Sequence, residues 1–111
     1  MTIEDLIKTG KFTTLKEGAD ISRPISGVFN CDLLSIAMSK APADCAWVTV
    51  MGNINTLAVA TLADASCVIL AEGVQFDEAG KKKLETTDVT VLTTDMPVFE
   101  ASLEVYKLIN A

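Results

Sequence analysis

From Ile25 onward the chain alternates short, almost wholly apolar runs with helical stretches, and that rhythm constrains the fold more than any other feature. Residues 25–29, 46–51, 67–70 and 89–92 read as strands, with helices expected over 32–41, 54–65, 77–85 and from near Asp95 and Pro97 to the end. Strands this apolar need no polar face, as expected of a sheet covered on both sides. The alternation predicts βαβ units in a three-layer α/β/α sandwich, with a mainly parallel sheet of about four strands and right-handed crossovers. Ahead of this 25–111 core, residues 1–24 form a lead-in. It should hold a helix capped by Thr2 and ended by Gly10, a short strand within 12–15, and a loop over 18–24. Asp32 is the expected cap of the second helix, and Asp95 with Pro97 the expected first turn of the last. That last helix carries an apolar stripe of Phe99, Leu103, Tyr106 and Ile109.

At 111 residues the chain reads as a single domain, 1–111, with no Pro/Ser-rich linker inside it. Half of it is apolar, which excludes intrinsic disorder, and no apolar run approaches the ~18–20 residues of a membrane span. The opening Met1-Thr2-Ile3-Glu4-Asp5 lacks the basic and apolar regions of a signal peptide, so a cytoplasmic location is expected. A net charge of −6 argues against nucleic-acid binding. Histidine is absent, which removes Ser-His-Asp and Cys-His catalysis, His-ligated zinc and phospho-histidine relay. Cys45 and Cys67 open apolar runs and read as small buried hydrophobes; Cys31, beside Asp32, is open to other roles. No cofactor and no metal ligand set are expected.

In a parallel sheet every strand-to-helix loop emerges at the C-terminal edge, where ligands bind. The loops brought there are Asn30-Cys31-Asp32, Gly52-Asn53-Ile54-Asn55, Ala71-Glu72-Gly73-Val74 and Thr93-Thr94-Asp95. The ligand-binding candidates are therefore Asn30, Asp32, Gly52, Asn53, Asn55, Glu72, Gly73, Thr94 and Asp95. Helix N-termini after Asn53 and Asp95 would offer backbone N–H groups to a nucleotide or small anionic metabolite. Gly52 would admit a ligand close to the backbone. Helix capping is the competing explanation for Asn53, Thr94 and Asp95.

Other motifs fail. Gly10-Lys11 and Gly80-Lys81 lack the rest of a P-loop, and there is no G-x-G-x-x-G. A phospho-acceptor receiver would need a strand-end Lys where this chain has Thr93-Thr94. Lys81, Lys82 and Lys83 read as a solvated helix face, and no nucleophile or acid–base pair can be assigned. Helices 32–41 and 54–65 are apolar most of the way round, which at this chain length predicts a covering partner, most simply a homodimer.

Five blocks in fixed order carry a family resemblance: Val28-Phe29-Asn30-Cys31-Asp32-Leu33-Leu34-Ser35, Ala46-Trp47-Val48-Thr49-Val50, Asn53-Ile54-Asn55-Thr56-Leu57-Ala58-Val59-Ala60, Cys67-Val68-Ile69-Leu70-Ala71-Glu72-Gly73, and Leu92-Thr93-Thr94-Asp95 with Phe99 and Tyr106. On these the chain resembles the DRTGG domain family over nearly all its length, and is similar to stand-alone members, some of them encoded near iron-only hydrogenases. Similar domains sit between CBS domains in some inorganic pyrophosphatases, ahead of phosphotransacetylase domains, and in the N-terminal part of HPr kinase. The string that names the family is altered, its nearest counterpart being Asp20, Arg23 and Gly27 followed by Val28. The kinase label does not transfer, because that activity belongs to a separate P-loop domain. The resemblance implies a non-catalytic regulatory, ligand-sensing or oligomerisation module, with nucleotide sensing suggested by analogy to the N-terminal domains of Mur ligases. The alternative is an interaction module docking on a hydrogenase or other redox enzyme; a metal or iron–sulfur carrier ranks below both.

Overall fold

A five-stranded mixed sheet runs through the middle of the molecule in the computed structural model, which describes residues 1–111. Its strands are β1 (Thr13–Lys16), β2 (Gly27–Asn30), β3 (Cys45–Thr49), β4 (Cys67–Leu70) and β5 (Thr90–Thr93), in spatial order β1-β5-β4-β3-β2. The helices are α1 (Ile3–Lys8), α2 (Leu34–Lys40), α3 (Ile54–Leu62), α4 (Glu78–Lys83) and α5 (Val98–Ile109). Strands β2 to β5 are mutually parallel, and β1 pairs antiparallel with β5. This corrects the expected sheet, which has five strands and is mixed rather than mainly parallel with about four. The lead-in strand makes the difference: β1 covers the edge of β5, whose outward N–H and C=O groups would otherwise stay unpaired.

From β2 to β5 the chain steps always in the same direction, so a constant crossover hand places α2, α3 and α4 on one face. The side chains sort accordingly. Ala37, Trp47, Val59, Ala60 and Val68 cluster on that face, continued by Leu57, Leu70, Phe76 and Val91. On the other, Ile3, Leu6, Val48, Ile69, Leu92, Ala101 and Val105 pack together beneath α1 and α5. Every residue of β3 and β4 is buried, the physical reason those runs carry no alternation. Each fully buried Leu, Ile or Val contributes roughly 1.5–3 kcal/mol. No helix is long and apolar enough to cross a membrane.

Local chemistry sets the helix ends. Thr2 Oγ1 accepts from Asp5 N–H while the Asp5 carboxylate accepts from Thr2 N–H, a reciprocal cap that holds Asp5 below its usual pKa. Gly10, at φ +70°, turns the chain out of α1. Asn53 Oδ1 accepts from Asn55 and Thr56 N–H and caps α3, and Asp77 accepts from Gly80 N–H and caps α4.

Two helix starts differ from expectation. Asp32 does not cap α2, which begins after Leu33 with no side-chain cap, because the Asp32 carboxylate instead binds Thr49 and Val50. The last helix begins at Val98 behind Pro97, later than Asp95. Its buried face is Ala101, Ser102 and Val105, so Phe99 and Tyr106 of the expected stripe stand 71% and 58% exposed. Small residues let α5 lie close over β2 and β3, and the aromatics line a groove beside Val28 and Asn30 of β2.

At the N-terminal end of the sheet, Arg23 donates to Asp44 Oδ1 (2.6 and 3.1 Å), Asp64 O (2.9 Å) and Asp64 Oδ1 (3.1 Å). Asp44 and Asp64 occupy the turns after α2 and α3, both in left-handed backbone at φ 64° and 60°. One cation thus pins two strained helix-to-strand turns.

Candidate functional site at the end of β5

All four strand-to-helix loops lie at one edge, but the sheet spreads them apart. Adjacent strands are ~4.8 Å apart, so three steps separate the β2 loop from the β5 loop by roughly 14 Å. Each loop also satisfies its own polar groups. Asp32 Oδ1 accepts from Thr49 Oγ1 (2.7 Å) and Val50 N–H (3.0 Å). Asn30 Oδ1 accepts from Ser102 Oγ at 2.6 Å, on the α5 face. Gly52 admits no ligand: a Cβ there would lie 2.4 Å from the Gln75 carbonyl oxygen, and Gly52 O accepts from Asp77 N–H. The α3 N-terminus is occupied by Asn53, as the capping explanation requires, and Asn55 is exposed beside it.

The β4 and β5 loops behave differently. After β4 the chain turns towards the α4 face, and after β5 towards the α5 face. Loops from neighbouring strands that part to opposite faces make a crevice at the strand ends, the topological switch point of an α/β sheet. Here the loops are stitched together. Glu72 N–H donates to Met96 O (2.9 Å) and Gly73 N–H to Thr94 O (3.0 Å), while the Glu72 carboxylate accepts from Val98 N–H (2.9 Å). Glu72 therefore provides the α5 cap that Asp95 does not, and it occupies the expected anion site. Thr94 Oγ1 accepts from Met96 N–H in its own turn. Glu72 and Gly73 are both left-handed, at φ 62° and 69°, a conformation Gly73 takes freely and Glu72 takes under strain at this crossing of loops.

Two grooves open beside the stitched pair and share Thr93 and Asp95. One, of about 490 Å³, is lined by Lys11, Thr13, Thr94, Met96 and Glu104 in addition. The other, of about 320 Å³, adds Leu15, Gly73, Val74, Gln75, Phe76, Lys81 and Leu84. Lys11 is paired with Glu104, which holds that carboxyl below its usual range, whereas Lys81 makes no ion pair. A β-bulge between Thr14 and Lys16 throws Leu15 out of register with β5, where it becomes a wall of the smaller groove.

Of the nine expected ligand residues, Gly73, Thr94 and Asp95 line these grooves and Asn30 lines a separate one. Asp32, Gly52, Asn53, Asn55 and Glu72 line none of the cavities. Lys11, Thr13, Leu15, Phe76 and Lys81 were not among the candidates. The strand pattern at 12–15 was the available signal, and the structure adds that strand at the β5 edge. Lys81, read as solvated, stands at the groove because α4 is short and packs its first turn against Phe76. Cys45 and Cys67 are buried, and burial pushes their thiols up to about 11 and about 12. No cluster of three His, Cys, Asp or Glu side chains could hold a metal ion.

The fold and crevice define an α/β domain with an edge strand added beside its switch point. No protein-family model matches the chain, and no curated protein matches it.

Proposed function

We propose that this chain is a cytoplasmic, non-catalytic sensor module of the DRTGG type, which takes a small anionic metabolite or a nucleotide at the end of β5. One observation carries the reading: two grooves meet at Asp95 in the switch-point crevice, one with the unpaired Lys81 ammonium beside apolar walls from Leu15, Phe76 and Leu84. The apolar walls suit a flat or aliphatic body and Lys81 an anionic end. Because Glu72 already caps α5, the anion would be held by Lys81 rather than by helix N–H groups. A ligand pressing on the stitched β4 and β5 loops would act on α5 through the Glu72–Val98 hydrogen bond, and that would be the regulatory signal.

Thermal unfolding against nucleotides, acyl phosphates and nucleotide sugars, with and without magnesium, tests this directly. A ligand at 100 times its Kd adds about 2.7 kcal/mol, a rise of about 10 °C for a domain near this size. Lys81→Ala should abolish the shift while leaving the unliganded Tm unchanged. A flat panel, or a shift that survives both Lys81→Ala and Asp95→Asn, overturns the reading and favours the docking alternative.

A further inference from the structure

We infer that the β2 edge joins a second copy of this chain, antiparallel about a two-fold axis at Val28, so that two five-stranded sheets become one. The inference is independent of the ligand groove, which lies at the other side of the sheet.

β2 is the outermost strand and pairs only with β3. Successive residues of such a strand direct their N–H and C=O groups to alternate sides. Ser26 N–H donates inward to Asp44 O, and Ile25 N–H donates outward to Met1 O, each at 2.9 Å. Continued along the strand, the alternation turns the groups of Gly27 and Phe29 outward, where no strand lies. The N-terminal residues close the edge below, through the bridge between Thr2 and Pro24. What stays open is two donors and two acceptors, placed symmetrically about Val28.

That pattern is complementary to itself. With Val28 on the axis, Gly27 of each copy faces Phe29 of the other, and each such pair exchanges two hydrogen bonds. Phe29 would lie over Gly27, where an added Cβ meets nothing within 4 Å. The opposite sheet edge carries the devices that prevent such pairing: β1 is bulged and bears Lys16 with Lys11 just ahead. β2 has no bulge, no Pro and no Lys.

The flanks are apolar on both faces. On the α5 side a groove of about 220 Å³ runs between β2 and Phe99, Leu103 and Tyr106. At 71% and 58% exposure, with about 200 Å² per aromatic side chain, Phe99 and Tyr106 alone offer on the order of 250 Å². That is about a third of the ~800 Å² per partner in a standard interface. On the α2 side, Leu34 and Ala41 pack into the core while Leu33, Ile36 and Met38 stay exposed. A two-fold closes on itself, so the match ends at two copies.

Sedimentation equilibrium of the full chain, with amide exchange, tests the proposal. The wild type is expected at twice the chain mass at micromolar concentration, with slow exchange at Gly27 and Phe29. Phe99→Glu and Tyr106→Glu change exposed side chains and should fold, yet raise the dimer Kd about 30-fold or more and make both amides fast. A wild type that stays monomeric to millimolar concentration overturns the proposal and leaves the edge to another protein. A dimer indifferent to both variants, or one with fast exchange at Gly27 and Phe29, overturns it equally.

Discussion

The two ends of the sheet are held together by opposite means. At the N-terminal end a single cation, Arg23, reaches across the sequence to Asp44 and Asp64 and pins two left-handed turns. At the C-terminal end no cation bridges the loops. Asn53 closes its own helix, Asp32 binds the neighbouring strand end, and Glu72 caps α5 from the next loop. Around Arg23 the charge pairing leaves a smaller cavity of about 160 Å³. Capping by carboxylates and an amide leaves the larger grooves, beside β5. The difference teaches that the end proposed to take a ligand is the one whose loops are joined by caps rather than by a cation, and there Lys81 stays unpaired.

The largest expected effect sharpens the picture at the N-terminal end, where β3 and β4 begin with buried thiols. Burial, the leading cause, raises Cys45 to about 11 and Cys67 to about 12 from the ordinary value of 9.0. The unfolded chain therefore releases these protons first. Stability is complete below pH 9 and falls as pH rises towards the folded values, by up to about 1.4 kcal/mol per pH unit for each thiol. Urea unfolding between pH 8 and pH 11 should show several kcal/mol lost, and Cys67→Ala should roughly halve the slope. A flat profile would contradict the burial of both thiols.

Next in size is Gly52→Ala at the other end. The new Cβ would press on backbone, the Gln75 carbonyl at 2.4 Å and Phe76 Cα at 3.3 Å, so two loops must separate. A loss of about 3 kcal/mol is expected in chemical denaturation, and a loss below about 1 kcal/mol would mean these loops are not locked. Arg23→Ala should follow with about 2 kcal/mol, the size of its charge-assisted bonds discounted for partial exposure. Arg23→Lys should recover less than half, since an ammonium lacks the planar fork that reaches both Asp residues. The smallest is Asn53→Ala, about 1 kcal/mol for one lost cap, with Asn53→Asp near neutral. If Asn53→Ala cost as much as Arg23→Ala, the contrast between anchoring by a cation and anchoring by caps would fail.

Much of the architecture was legible in the residues. Cys67-Val68-Ile69-Leu70 has no polar position, which only a strand covered on both faces tolerates, and Thr2, Gly10 and Asn53 mark helix ends by their own chemistry. Asp32 was misread because a carboxylate before a helix caps or reaches elsewhere according to what stands beside it. Here Thr49, seventeen residues on, supplies a better partner. The α5 register was misread because the apolar stripe is the larger one, whereas close packing over β2 and β3 favours the small side chains of Ala101 and Ser102. Strand direction brought the four strand-to-helix loops to one edge, as the parallel strands require. It could not choose among four loops spread across the sheet.

By itself the sequence determined an α/β chain: apolar runs too short for helices and too continuous for one-sided strands, separated by capped helical stretches, and no histidine for the commoner chemistries. These properties follow from local backbone preference and burial, which neighbouring residues encode. Only the tertiary structure decided that residues 13–16 add antiparallel beside β5, that Glu72 fills the α5 terminus, and that Lys81 is left free at a groove. Each depends on partners distant in sequence. Their pairing energy exists only once the sheet has brought them within hydrogen-bonding reach.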